Sequence, residues 1–197
     1  MDNKHRSHFV FIFFRFLFWF LSNTVWRRKV IGVENIPATG GVLIAPNHRS
    51  LADPPFVGSA VNRPMFFMAK QELFDVPIFG WFMHRTNSFP VKRGAQDMGA
   101  FRKALKLLKD GMPVLVFPEG GRSKDGNFRP AQAGLGMFAC MAQVPTIPVR
   151  IINSEHLFKF RRVKVIFGKA IYPPKKYTRE DYLKISEQVL DAVKNLA

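Results

Sequence analysis

Two short stretches hold the residue types that can move a proton and grip an anion. The first, Asn47-His48-Arg49-Ser50-Leu51-Ala52-Asp53-Pro54, sets a histidine five residues before an aspartate. Across a tight turn the carboxylate can reach back to the imidazole, fix its tautomer and stabilise its protonated form. The other ring nitrogen is then left as a general base. The same spacing also suits a loop histidine beside an aspartate that caps a helix. The second stretch is Phe117-Pro118-Glu119-Gly120-Gly121-Arg122-Ser123. Gly120 and Gly121 let backbone N–H groups come close to an anion, and Arg122 can hold phosphate through paired hydrogen bonds. Glu119 can orient Arg122 or accept from a substrate hydroxyl. An ordinary glycine turn with a surface ion pair fits these residues equally well.

Both stretches follow short apolar runs that read as buried strands. Strands are expected at 30–33, 42–45, 65–69, 88–91, 112–117, 146–152 and 163–167, between turn signals such as Pro37-Ala38-Thr39-Gly40-Gly41. Helical patterns fall between them. Pro54 and Pro55 open one that runs to about residue 60, since proline is tolerated in a first turn. Residues 71–84 are helical in part, with Pro77 and Gly80 as interruptions. The pattern of Met98, Phe101, Leu105 and Leu108 on one face predicts a helix over 96–110, ended by Gly111. Helices follow at 132–142 and, capped by Thr178, from there to about residue 194. Strands alternating with helices imply one α/β domain over 30–197, with a mostly parallel mixed sheet flanked by helices. Loops after strand ends are where such sheets place their chemistry.

The first 29 residues read differently. Phe9 to Trp26 is nearly all apolar, with Arg15 in its middle and cations on both flanks. No small-residue cleavage site follows, which argues against a signal peptide. The stretch is short for a spanning helix, and Arg15 is costly at mid-bilayer. A membrane-anchoring helix lying in one leaflet fits best, with Trp19 and Trp26 at the headgroup boundary; a tilted span and a buried core helix are the other placements. The apolar residues Phe66 to Phe82 fit a second membrane-facing surface and core equally.

Thirty Lys and Arg against 14 Asp and Glu leave a net charge of +16, which predicts an anionic partner. Twenty-one Phe against 3 Tyr and 3 Trp favour hydrocarbon over nucleic-acid bases, so an anionic membrane surface is expected. A nucleic-acid-binding module is the rival reading of the charge. No zinc-finger, KH or RRM signature supports it, and the cations are dispersed. A non-catalytic lipid-binding scaffold is another rival, against which His48, Asp53, Glu119 and Arg122 stand together. With one cysteine, Cys140, in an apolar run, no disulfide forms within the chain and a small buried hydrophobe is expected. The remaining histidines show no spacing suited to a metal.

Asn47-His48-x4-Asp53, followed about seventy residues later by Phe117-Pro118-Glu119-Gly120-x-Arg122-Ser123, resembles the glycerolipid acyltransferase family, and within it the 1-acylglycerol-3-phosphate acyltransferases. Further blocks agree in order: Lys70-Gln71-Glu72-Leu73, Asn87-Ser88-Phe89-Pro90-Val91-Lys92-Arg93-Gly94 and Val144-Pro145-Thr146-Ile147-Pro148-Val149. The resemblance covers roughly residues 30–173. It departs from the family at Gly121, where threonine is commoner, and at Gln132, where a basic residue is commoner.

The resemblance implies direct transfer of a fatty acyl group from acyl-CoA or acyl carrier protein to the hydroxyl of a lysolipid, with lysophosphatidate the leading acceptor. Another lysophospholipid, glycerol-3-phosphate or an amino-acid lipid are the alternatives. His48 and Asp53 would be catalytic. Lys70, Arg93, Glu119, Gly120, Gly121 and Arg122 would bind substrate. No metal or cofactor is implied, and the expected location is the cytoplasmic face of a membrane.

Overall fold

The computed structural model describes residues 3–92, 97–123 and 125–197, with side chains in the first helix described from residue 11 onward. Among them, seven strands form one sheet: β1 (Lys29–Ile31), β2 (Val42–Pro46), β3 (Phe66–Lys70), β4 (Ser88–Val91), β5 (Pro113–Leu115), β6 (Thr146–Ile152) and β7 (Lys164–Phe167). Their spatial order is β1-β7-β6-β2-β5-β3-β4. All neighbours are parallel except β6 and β7, so β1 and β7 run against the other five. The sheet is mixed and mostly parallel, as the alternation of strands and helices requires.

β2 explains why the sheet needs cover on both faces. Val42, Leu43, Ile44 and Ala45 are all fully buried. Successive side chains point to opposite faces. Val42 and Ile44 join a core with Phe56 and Val57, against which Phe18 and Trp26 pack. Leu43 and Ala45 join the other core, with Ala104, Leu108, Phe138 and Val189. The first face is covered by α1 (Asn3–Thr24) and α2 (Asp53–Gly58), with α3 (Pro77–Arg85) beside them. The second is covered by α4 (Met98–Lys109), α5 (Gly134–Ala142) and α6 (Arg179–Asn195). Buried Cys140 belongs to that second core, and its burial pushes the thiol pKa up.

The helix ends follow their local chemistry. Pro54 and Pro55 occupy the first turn of α2. Asp97 caps α4 by accepting from the Ala100 N–H at 2.9 Å, so that helix starts at Met98; Gln96, placed inside it on sequence grounds, lies outside the described residues. Gly80 does not interrupt a helix. It lies inside α3, where a Cβ would meet the Phe74 carbonyl oxygen at 2.0 Å. The residue is there for close approach, and Pro77 opens the helix rather than breaking it. A short 3₁₀ turn, Gln71–Leu73, precedes α3.

α1 has two sides. Phe18 and Trp26 stack edge-on against Phe56 of α2, while Phe14 meets Trp81 and Phe82 of α3. Phe13, Leu17 and Phe20 lie on the exposed side, 52%, 37% and 50% exposed, while Phe16 and Trp19 are exposed at the mouth of a cavity that Arg28, Val30 and Ser59 also line. Arg15 sits on the covered side, lining cavities beneath the helix. Among the described residues no helix is long and apolar enough to cross a membrane. The apolar segment 66–82 divides in two. Its β3 half is partly buried in the sheet, while Ile78 and Trp81 of α3 are 87% and 45% exposed.

Candidate active site

β2, β5, β3 and β4 are consecutive neighbours and all parallel, so their carboxyl ends share one edge of the sheet. That edge receives His48 after β2, Glu119 to Arg122 after β5, and Lys70 at the end of β3. Arg93 follows β4 but lies outside the described residues.

His48 is fixed on every side but one. Its Nδ1 lies 2.9 Å from Asp53 Oδ2. Its ring stacks on Phe117, with centroids 3.7 Å apart and planes 13° from parallel. Its backbone N–H donates to Glu119 Oε1 at 3.0 Å, and its carbonyl accepts from the Ser123 N–H at 2.9 Å. Asn47, just before it, is buried and uses its side-chain amide as a strand would use its backbone. It donates to the Ile151 carbonyl at 3.0 Å and accepts from the Ile151 N–H at 2.7 Å. The residue preceding the histidine therefore pins the end of β2 to β6.

Asp53 is fully buried. Besides His48, its Oδ2 accepts from the N–H groups of Arg49 and Ser50, each at 2.7 Å. These donors oppose the cost of burying the charge and hold the carboxylate in place. Asp53 opens α2, where negative charge is favoured by the helix dipole. Arg28 meets the other end of that short helix. It donates to the Phe56 carbonyl and the Ser59 hydroxyl, and burial pulls its guanidinium pKa down to about 10. With Nδ1 engaged, Nε2 of His48 is the ring nitrogen without a partner among the described residues.

Glu119 departs from its expected role. It is 1% exposed, with Oε1 on the His48 N–H and Oε2 on the Arg129 N–H at 2.8 Å. Neither oxygen meets the Arg122 side chain. The carboxylate ties the β5 loop to the β2 loop from beneath. Gly120 turns at φ 65, where a Cβ would strike Gln132 Cγ at 2.9 Å, so glycine is required there. Gly121 is buried in the loop, and Arg122 is exposed. Lys70 pairs with Glu72 at 2.8 Å and is 45% exposed.

A cavity of about 220 Å³ opens beside His48. Phe14 and Phe18 of α1, Pro55 of α2, Phe82 of α3, Phe67 of β3 and Phe117 supply much of its apolar wall, and Lys70 also lines it. A flexible hydrocarbon matches such a wall, and the histidine is among the few polar groups on it.

Sequence reasoning did not find roles for Asn47, Phe117, Arg28 or the backbone of Ser123 and Arg129. Phe117 and Asn47 stood inside the motifs, but stacking and side-chain mimicry of a strand depend on distant partners. Arg28 carried no signal beyond its place in a basic run.

Residues 27–152 match the model of the family described as Acyltransferase. The 1-acyl-sn-glycerol-3-phosphate acyltransferase of Bacillus subtilis is 31% identical over 148 residues, 73% of each chain. The chloroplastic 1-acyl-sn-glycerol-3-phosphate acyltransferase BAT2 of Brassica napus is 29% identical over 161 residues, covering 76% of this chain. The chain spans about half the length of that relative, 46%. Among solved structures, the 1-acyl-sn-glycerophosphate acyltransferase PlsC of Thermotoga maritima superposes with a TM-score of 0.73 and 27% identity, covering 100% of this chain and 84% of the other.

Proposed function

The chain belongs to the acyltransferase family, and on that premise we propose that it is a 1-acylglycerol-3-phosphate O-acyltransferase. It moves a fatty acyl group from acyl-CoA or acyl carrier protein to the free hydroxyl of lysophosphatidate, giving phosphatidate. One observation carries the reading: a histidine held through Nδ1 by a buried carboxylate, with its ring in the wall of an apolar cavity.

In the proposed reaction His48 Nε2 takes the proton of the acceptor hydroxyl as that oxygen attacks the thioester carbonyl carbon. The C–S bond then breaks, and the imidazolium returns the proton to the leaving thiolate. Asp53 keeps the ring oriented and balances its transient charge. No acyl-enzyme is formed, and the thioester itself supplies the driving force without a cofactor. Arg122 and Lys70 grip the acceptor phosphate from the rim of the sheet, and Arg93 is assigned to the same phosphate on the resemblance of its motif. Glu119, Gly120 and Gly121 shape the loop that carries Arg122. The cavity takes the acyl chain.

The exposed face of α1, with Phe13, Leu17 and Phe20, rests in one leaflet beside Ile78 and Trp81 of α3. Arg15 stays beneath the helix, away from lipid. The lone buried Cys140 suits the reducing, cytoplasmic side.

The test is an acyl-transfer assay with lysophosphatidate, other lysophospholipids and glycerol-3-phosphate as acceptors and both thioester donors, run beside His48→Ala. Lysophosphatidate is expected to turn over fastest. Faster turnover of another acceptor would reassign the substrate, and no His48-dependent transfer to any acceptor would reject the reading.

A further inference from the structure

The connection between β6 and β7 carries Phe158-Lys159-Phe160-Arg161-Arg162 at the end of a 3₁₀ turn, Ser154–Lys159. Phe158 is 94% exposed and Phe160 is 60% exposed. Single exposed apolar side chains are ordinary on protein surfaces. Here two aromatic rings alternate with cations, and Phe160 stands at φ 48. A bulky residue in the left-handed region is an outlier that costs free energy. The Phe160 N–H donates to the Leu157 carbonyl at 3.2 Å and closes the turn, while the ring is left mostly in solvent.

The loop is bound to the end of α1. The Trp26 indole N–H donates to the Leu157 carbonyl at 2.9 Å, Arg162 Nε–H donates to the Arg27 carbonyl at 3.2 Å, and the Val163 N–H donates to the Trp26 carbonyl at 3.2 Å. Next to it, Lys29 pairs in register with Lys164 across β1 and β7. Arg27, Lys29, Lys159, Arg161 and Arg162 are all exposed, and none makes an ion pair among the described residues. Val25, at the foot of the outward apolar face of α1, is exposed beside them.

We propose that the β6–β7 connection is a second membrane-insertion point, in which Phe158 and Phe160 enter an anionic bilayer at the headgroup boundary while Lys159, Arg161 and Arg27 hold lipid phosphates. It extends the one-leaflet placement of α1 and is independent of acyl transfer. Aromatic rings at that depth exchange water for hydrocarbon, and cations near an anionic surface add to the attraction within a Debye length. Two contacts, one at the apolar helix and one at this loop, fix how the sheet edge stands above the lipid.

The experiment uses the full chain and vesicles of phosphatidylcholine with or without phosphatidylglycerol. Phe158→Ser with Phe160→Gly is expected to lower partition to the mixed vesicles about tenfold or more. The melting temperature should stay level or rise, because glycine takes the left-handed conformation freely. Lys159→Gln with Arg161→Gln is expected to weaken binding to the anionic vesicles only. In Phe158→Trp, brominated lipid chains should quench emission beyond that of the wild-type tryptophans. Unchanged partition of the Ser/Gly variant, or an unquenched Phe158→Trp in vesicle-bound protein, would overturn the proposal. So would a variant that keeps its vesicle binding and loses only turnover with acyl carrier protein, which would make the loop a carrier-docking site. Absence of acyl transfer would reject the enzymatic reading and leave these partition readouts standing.

Discussion

At the end of β2 the side chains that hold His48 are buried and hydrogen-bonded within the protein, whereas Arg122 and Lys70 along the same edge are open to solvent. Asp53, Glu119 and Asn47 are buried and hydrogen-bonded to backbone or ring. Arg122 reaches into solvent, and Lys70 pairs with the exposed Glu72. The difference separates two kinds of work. A base must be oriented before substrate arrives, because misplacement of its proton acceptor costs rate directly. A phosphate clamp is satisfied by its ligand, and exposed cations in water pay little to wait for it. The first region is thus stable machinery and the second is a receptive rim.

The comparison can be broken most readily at Asp53. Asp53→Ala removes the partner of Nδ1 and the acceptor for two backbone donors. It is expected to lower kcat by about 10²–10⁴-fold with little change in the acceptor KM. A change confined to KM would put Asp53 in the rim instead. Glu119→Ala should act on the scaffold: two backbone N–H groups lose their acceptor, at about 1–3 kcal/mol each if they stay buried. A fall in melting temperature accompanied by lower kcat is expected in thermal unfolding and kinetics. Undisturbed stability would mean that the carboxylate serves substrate after all.

Arg122→Ala tests the other side. Losing a charge-assisted contact to phosphate is expected to raise the acceptor KM about 10–100-fold, with the melting temperature unchanged. The donor KM should hold. If the donor KM rises instead, Arg122 faces the thioester's carrier.

The smallest effect belongs to a site remote from both regions. Asp181 accepts from the Thr178 N–H at 2.7 Å and from its hydroxyl at 3.1 Å, and these bonds hold its carboxyl below the usual carboxylate range. A carboxyl lowered in the folded state stabilises the fold above its unfolded pKa, about 3.9, and loses that contribution as pH falls through the folded value. Asp181→Asn should therefore flatten the acid end of the stability profile and leave kcat and KM untouched.

Much of the architecture was legible because each element carried its own signal. β6 was bounded correctly at both ends, since an apolar run there meets turn residues on either side. The prolines of α2 and the Thr178 cap also spoke locally. Gly80 misled because helix interruption and close packing use the same residue, and only the Phe74 carbonyl distinguishes them. At the site, the His48–Asp53 spacing announced its own contact, being closed by a five-residue turn. The role of Glu119 was hidden because its partners lie 71 residues back and 10 residues ahead. The order of strands that brings β5 beside β2 is what joins them.

The most direct measurement is kcat for wild type and His48→Ala with acyl-CoA and lysophosphatidate, together with the melting temperature of each. A loss of about 10²–10⁴-fold in kcat at unchanged stability is the predicted result. Near-normal turnover in a folded His48→Ala protein would contradict the account, since among the described residues no other group at this edge is held to take the proton.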